Sequence, residues 1–215
     1  MTTLTVKPRL RGWLHMGALP VTLVAGFALV ALGPTLLSRV AAAVYAISSG
    51  LLFGISATYH RGTLGPRLAE VLRRFDHANI YLIIAGTYTP FALLALSGAA
   101  RVIVLTVTWG GALAGVLFRV CWMGAPRWLY TVLYLALGWT AIFVLPQLLE
   151  GAGVAAVVLV AVGGVFYSAG AVVYGLRRPD PSPQWFGFHE VFHAFTVAAY
   201  LVQYIAVSIV VYSHM

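Results

Sequence analysis

The sequence predicts an all-α integral membrane protein: a bundle of seven transmembrane helices with the N-terminus cytoplasmic and the C-terminus exoplasmic. Three observations predict it. Of the 215 residues 61% are hydrophobic and only 8% charged, with a mean hydropathy of +0.94, whereas soluble domains run near ~45–50% apolar and ~25% charged. A soluble core of this size cannot hide that much apolar surface, which excludes a cytosolic enzyme, a disordered chain and a disulfide-stapled secreted module. The lone cysteine, Cys121, has no internal partner. Second, the apolar residues form continuous runs near the ~20 residues a crossing needs, without the period-two alternation of a β-barrel. Third, the basic residues fall almost entirely on one side.

In order, residues 1–13 form a basic cytoplasmic segment, with Lys7, Arg9 and Arg11 ahead of Trp13, and 14–215 form a single membrane domain. No small-residue cleavage site follows the first apolar run, which therefore reads as an anchor and not a signal peptide. The spans lie near 14–33, 40–60, 77–96, 101–121, 127–149, 153–175 and 189–211. Their separators are Gly33-Pro34 with Arg39, residues 61–75, Ser97-Gly98 with Arg101, residues 123–127, Glu150-Gly151, and residues 176–188. The last holds Pro179, Pro181 and Pro183 and is a true loop. In 61–75, Leu64, Leu68, Val71, Leu72 and Phe75 recur at helical intervals between arginines, which predicts a short amphipathic helix in the membrane interface. Gly86 and Pro90 mark close packing and a kink in the third span, and Pro20 and Pro146 act likewise. Trp13, Trp122, Trp128 and Trp185 fall at predicted interfaces. The glycines at 151, 153, 163 and 164 lack a phosphate-loop context.

Eleven basic residues share one side: Lys7, Arg9, Arg11, Arg61, Arg67, Arg73, Arg74, Arg119, Arg127, Arg177 and Arg178, against Arg39 and Arg101 on the other. The positive-inside rule makes that side cytoplasmic. The net charge of +8, which in a soluble protein would suggest nucleic acid, is here a topology signal, and no nucleic-acid partner is expected. A retinal protein is excluded because the only lysine is Lys7, and a G-protein-coupled receptor because its N-terminus lies outside.

Ionisable residues inside spans are costly and default to functional candidates. Here they gather at one depth. His60 ends the second span, Asp76 and His77 begin the third, and His189, Glu190 and His193 begin the seventh. The spacing of His189 and His193 puts both imidazoles on one helix face, continued by Thr196, Tyr200 and Gln203. Ser56 shares a face with His60, and Asn79 with Asp76. Three neutral imidazoles suit zinc and leave a fourth position for water, whose pKa zinc lowers toward ~7. Asp76 is then the group to orient or deprotonate that water, with Ser56 supporting it. His15 and His77 read as ordinary span-edge residues, and C-terminal His214 as solvated.

The stretch "HEVFH" also matches the zinc-protease signature H-E-x-x-H. That design takes a third ligand downstream, and only His214 follows, at the far end of the span. Glu190 reads first as an acid favouring the dipole of a helix's first turn, with a catalytic base as the lesser reading.

Three motifs in order, "SATYHR" (56–61), "RRFDHANIYLIIAGTYTPF" (73–91) and "FGFHEVFHAFTVAAY" (186–200), resemble the hemolysin III family, the bacterial branch of the progestin and adipoQ receptor superfamily. The opening "RGWLHMGALPVTLVAGFALV" resembles its actinobacterial members. The resemblance spans essentially the whole chain. It implies a seven-helix protein of the bacterial inner membrane with a cytoplasmic N-terminus and a zinc ion near the cytoplasmic face. It carries the zinc ligands over to His60, His189 and His193, and the motif serine and aspartate to Ser56 and Asp76. Within a wider group that includes alkaline ceramidases, it implies metal-dependent hydrolysis of lipid amides or esters. No long N-terminal domain of the animal-receptor kind is expected, so adaptor partners are not carried over.

The leading expectation is a membrane zinc hydrolase whose lipid substrate enters between helices. A zinc-stabilised receptor or homeostasis sensor without turnover is the alternative, distinguished by four protein ligands in place of three plus water. A cytolysin has only the family name in its favour.

Overall fold

The computed structural model describes residues 8–213; Lys7 and His214 lie outside the described residues. The helices are α1 (Trp13–Ala31), α2 (Leu36–Arg61), α3 (Pro66–Pro90), α4 (Gly98–Cys121), α5 (Arg127–Gly138), α6 (Leu145–Leu176) and α7 (Phe188–Tyr212). A π-helical turn, Phe91–Ala95, follows α3, and a 3₁₀ turn, Thr140–Val144, joins α5 to α6. Among the described residues there is no named strand, only an isolated bridge between Ser182 and Phe186. Among the described residues six stretches are long and apolar enough to cross a membrane: Trp13–Ala31, Leu36–Arg61, Pro66–Ala95, Gly98–Cys121, Arg127–Leu176 and Phe188–Tyr212.

Their ends follow ordinary capping chemistry. Thr35 and Ser38 exchange side-chain-to-backbone bonds of 3.0 and 3.1 Å at the start of α2. Before α7, Asp180 Oδ1 accepts from Phe188 N at 2.8 Å, and Glu190 Oε2 accepts from Gly187 N at 2.9 Å. Within the helices, Ser49, Thr89 and Thr108 return their hydroxyls to the carbonyl four residues back, at 2.7 to 2.8 Å. Polar side chains in an apolar bundle are satisfied locally in this way.

Two expected boundaries are corrected. The stretch 61–75 holds no separate interfacial helix: Pro66 opens α3, which runs unbroken past Asp76 to Pro90. Proline fits a helix's first turn, and Glu70 supports that turn through Arg73 and Arg74 at 2.6 and 2.9 Å. The expected span 127–149 is not one helix. It breaks after Gly138, where Tyr88 Oη donates to Gly138 O at 2.7 Å and accepts from Ala141 N at 2.8 Å. Pro146, with no N–H to continue the ladder, stands in the first turn of the next helix.

The stretch Arg127–Leu176 has 50 residues, about 75 Å if straight, against a hydrocarbon core of ~30 Å. It folds back at Gly153, whose φ of 78° and ψ of 163° leave the helical region inside α6. Trp139 Nε1 consequently reaches Ser168 Oγ at 3.0 Å, and the rings of Tyr130 and Tyr174 stand 6.4 Å apart.

Helix α7 touches α1, α2, α3, α6 and the π turn, so it lies inside the bundle. The core around it is Tyr45, Phe53, Ile83, Phe91, Tyr200 and Val207, all buried. Phe27, Leu36 and Phe143 face outward at 75 to 85% exposure, an apolar exterior that only lipid makes favourable.

Candidate metal centre and its cavity

The last turn of α2 carries His60, and the first two turns of α7 carry His189 and His193, four residues apart and on one face. Packing α2 against α7 brings one ring nitrogen from each of the three within 4.8 Å of the others. His60 Nε2 and His189 Nε2 are 3.3 Å apart. Two nitrogens on one tetrahedral zinc, each ~2.0–2.1 Å from it, stand about 3.3–3.4 Å apart. The three nitrogens could therefore hold a metal ion, and the His60–His189 pair has the spacing that two ligands take on zinc. His60 and His193 are buried and His189 is partly buried, in surroundings where neutral imidazoles are the expected ligands.

Asp76, on α3, places Oδ2 at 3.6 Å from His60 Nε2 and at 3.9 Å from His77 Nδ1. Ser56 stands one turn before His60 on α2, with its buried hydroxyl beside the Asp76 carboxylate. His77 lies outside the three-histidine group, with Nδ1 on Arg73 O at 2.8 Å and Nε2 on Tyr174 Oη at 3.3 Å. Glu190 is also outside it: one carboxylate oxygen meets Arg11 Nε and the other Gly187 N. The carboxylate that completes a protease motif in sequence is here an anchor.

Three neighbours escape a reading by spacing. His15 stacks on His193, centroids 3.7 Å apart and planes 5° from parallel, with its edge against Phe53 at 5.0 Å. Both its ring nitrogens are buried without a hydrogen-bond partner. Its position at the histidine end of the first span, with Thr22 seven residues on along the same buried face, was the available signal. Arg11, read only as a topology charge, forms a partly buried ion pair with Glu190. Gly12, at φ 81°, presses its backbone on His60: a β-carbon there would lie 2.6 Å from His60 Cβ. The residues before α1 thus cross the end of the cluster, held by Arg9 N on Gln184 O at 2.9 Å and Leu10 N on Trp185 O at 3.1 Å.

The cluster opens on a cavity of about 190 Å³. Ser56, Asp76, His189 and His193 line its polar end, and Ile83, Ile84, Phe91, Leu148 and Val157 line the remainder. Gln203 also lines it; its Nε2 donates to Val160 O at 3.2 Å while Oε1 is unpartnered.

Fold and site together define a multi-pass helical membrane protein with a three-histidine group at one end of a largely apolar cavity. The family model for haemolysin-III-related proteins matches residues 4–204, and the chain belongs to that family. It is 32% identical over 157 residues to the hemolysin-3 homolog of Bacillus subtilis (strain 168), covering 72% of this chain and 69% of the relative. With hemolysin-3 of Bacillus cereus it shares 33% identity over 135 residues, covering 63% of this chain and 61% of that protein.

Proposed function

We propose that this protein is a zinc-dependent hydrolase of lipid amide or ester bonds, acting from the cytoplasmic side of a bacterial inner membrane. The observation that carries the reading is the convergence of His60, His189 and His193 at the polar end of a largely apolar cavity. Zinc, when bound, supplies Lewis-acid polarisation of the scissile carbonyl and a water acidic enough to attack near neutral pH. Asp76, 3.6 Å from His60 Nε2, takes the proton from the attacking water and returns it to the departing amine or alkoxide. Ser56, whose buried hydroxyl lies beside that carboxylate, orients it. The apolar wall around Ile83, Ile84 and Phe91 holds the acyl chain and keeps bulk water away.

The fold-back at Gly153 supports seven crossings, with Arg127–Leu176 passing twice. The orientation rests on the arginines. Arg61, Arg67, Arg73, Arg74, Arg119 and Arg127 lie at the histidine end, whereas Arg39 and Arg101 bind backbone carbonyls at the other, at 2.7 and 2.9 Å.

The approach of Asp76 to His60 favours a second reading, a zinc-stabilised receptor or sensor with Asp76 as fourth ligand and no open position. One set of proteins decides: wild type, His189→Ala/His193→Ala, and Asp76→Asn, assayed for bound zinc and for cleavage of a fluorogenic ceramide and its ester analogue. The hydrolase reading expects zinc to disappear from the double variant, and Asp76→Asn to keep zinc while losing turnover. Zinc lost from Asp76→Asn, with no cleavage by wild type, supports the sensor. Equal zinc in wild type and the double variant ends both readings.

A further inference from the structure

Away from the histidines, Arg119 in the last turn of α4 is 2% exposed, and its Nε and Nη1 have no hydrogen-bond partner. The chain has five acidic residues. Glu70 holds Arg73 and Arg74, Asp76 faces His60, Asp180 caps Phe188, and Glu190 holds Arg11. Glu150 is exposed at the opposite end of the bundle, beside Gly151, which packs on Ala95. None neutralises Arg119. Its guanidinium lies 4.3 Å over the ring of Tyr130, which offsets part of the cost of burying it but supplies no hydrogen-bond acceptor.

The surroundings add donors and no anion. Tyr81, whose ring is 4.6 Å from that of Tyr134, has a buried, unpartnered hydroxyl within the field of Arg119. Arg127, across the Tyr130–Tyr174 pair, has a buried unpartnered Nη1 and lies 5.2 Å over Tyr174. The charges of both arginines reach His77. A buried cation with open N–H groups, a second cation nearby and a free hydroxyl form the donor set that binds oxyanions in proteins. Trp122, one turn of chain beyond Arg119, and Trp128, next to Arg127, are exposed, and exposed tryptophan is enriched where lipid headgroups meet the apolar core.

We propose that Arg119, Arg127 and Tyr81 form a binding site for a phosphate group, distinct from the three-histidine centre. The oxyanion supplies the negative charge that the protein's own carboxylates do not. Phospholipid headgroups and free phosphate share this chemistry, and the test separates them.

The measurement is the melting temperature of the purified full-length protein in detergent, titrated separately with inorganic phosphate, with dioctanoyl phosphatidic acid, and with dioctanoylglycerol as the phosphate-free control. Wild type is expected to show a saturable rise with phosphatidic acid and none with dioctanoylglycerol. An equal rise with inorganic phosphate makes free phosphate the ligand; a rise with phosphatidic acid alone makes it the lipid. Arg119→Met and Arg127→Gln are each expected to raise the half-saturating concentration about tenfold or more. The His189→Ala/His193→Ala protein keeps the rise, which separates this site from the metal centre. If Arg119→Met does not fold, Arg127→Gln carries the decision. The proposal is overturned if no phosphate compound raises the wild-type transition, or if both arginine variants respond as wild type does.

Discussion

Glu190 and Arg11 show how a motif match and a side chain's occupation differ. Glu190 is 1% exposed, and its two oxygens are committed to Arg11 and to Gly187 N. Glu190→Ala strands a partly buried guanidinium and an amide, so a destabilisation of about 3 kcal/mol is expected by chemical denaturation. Glu190→Gln, which keeps an acceptor for Gly187 N, is expected to recover part of it. If Glu190→Ala unfolds like wild type, the ion pair is not holding the pre-helical residues. The pair His189 and His193 was legible because helical spacing alone puts them on one face. His15 on His193 and Arg11 on Glu190 were not, since each contact joins positions nearly 180 residues apart that no periodicity links.

The turns between helices carry the next level of information. Gly153 takes a positive φ that an L-side chain adopts only under strain, so Gly153→Ala is expected to cost about 1–2 kcal/mol and lower the melting temperature. Tyr88→Phe removes the hydroxyl that serves both Gly138 O and Ala141 N across the α5 break, for an expected loss of about 1–3 kcal/mol. Wild-type melting in either variant would mean that water or neighbouring backbone takes over. The Arg61–Phe75 stretch was misplaced because its amphipathic pattern is the same whether it lies in the interface or begins a long helix. Only the continuous ladder from Pro66 distinguishes them. The break at Gly138 was hidden for another reason: its freed groups are satisfied by Tyr88, some 50 residues upstream.

For the whole molecule, orientation and metal binding each have a direct readout. Cys121 is exposed at the end of α4, on the histidine side of the bundle. A membrane-impermeant maleimide is expected to label it in inverted vesicles and not in intact spheroplasts; the reverse pattern inverts the proposed topology. Zinc on His60, His189 and His193 would tie α2 to α7, so chelation is expected to lower the melting temperature and zinc to restore it. No change on chelation removes metal from the account of stability.

Composition, run length and the i, i+4 histidines were enough to establish a multi-pass helical membrane protein with candidate ligands at one depth, because hydrophobic burial and helical periodicity are local properties of the chain. The tertiary structure alone decided which of those residues meet. It set the His60 Nε2 to His189 Nε2 separation at 3.3 Å, stacked His15 on His193 and turned Glu190 away to Arg11. It also left Arg119 buried with no carboxylate to meet it. Such contacts depend on how helices distant in sequence rotate and pack against one another, and that is set by the fit of all their faces together.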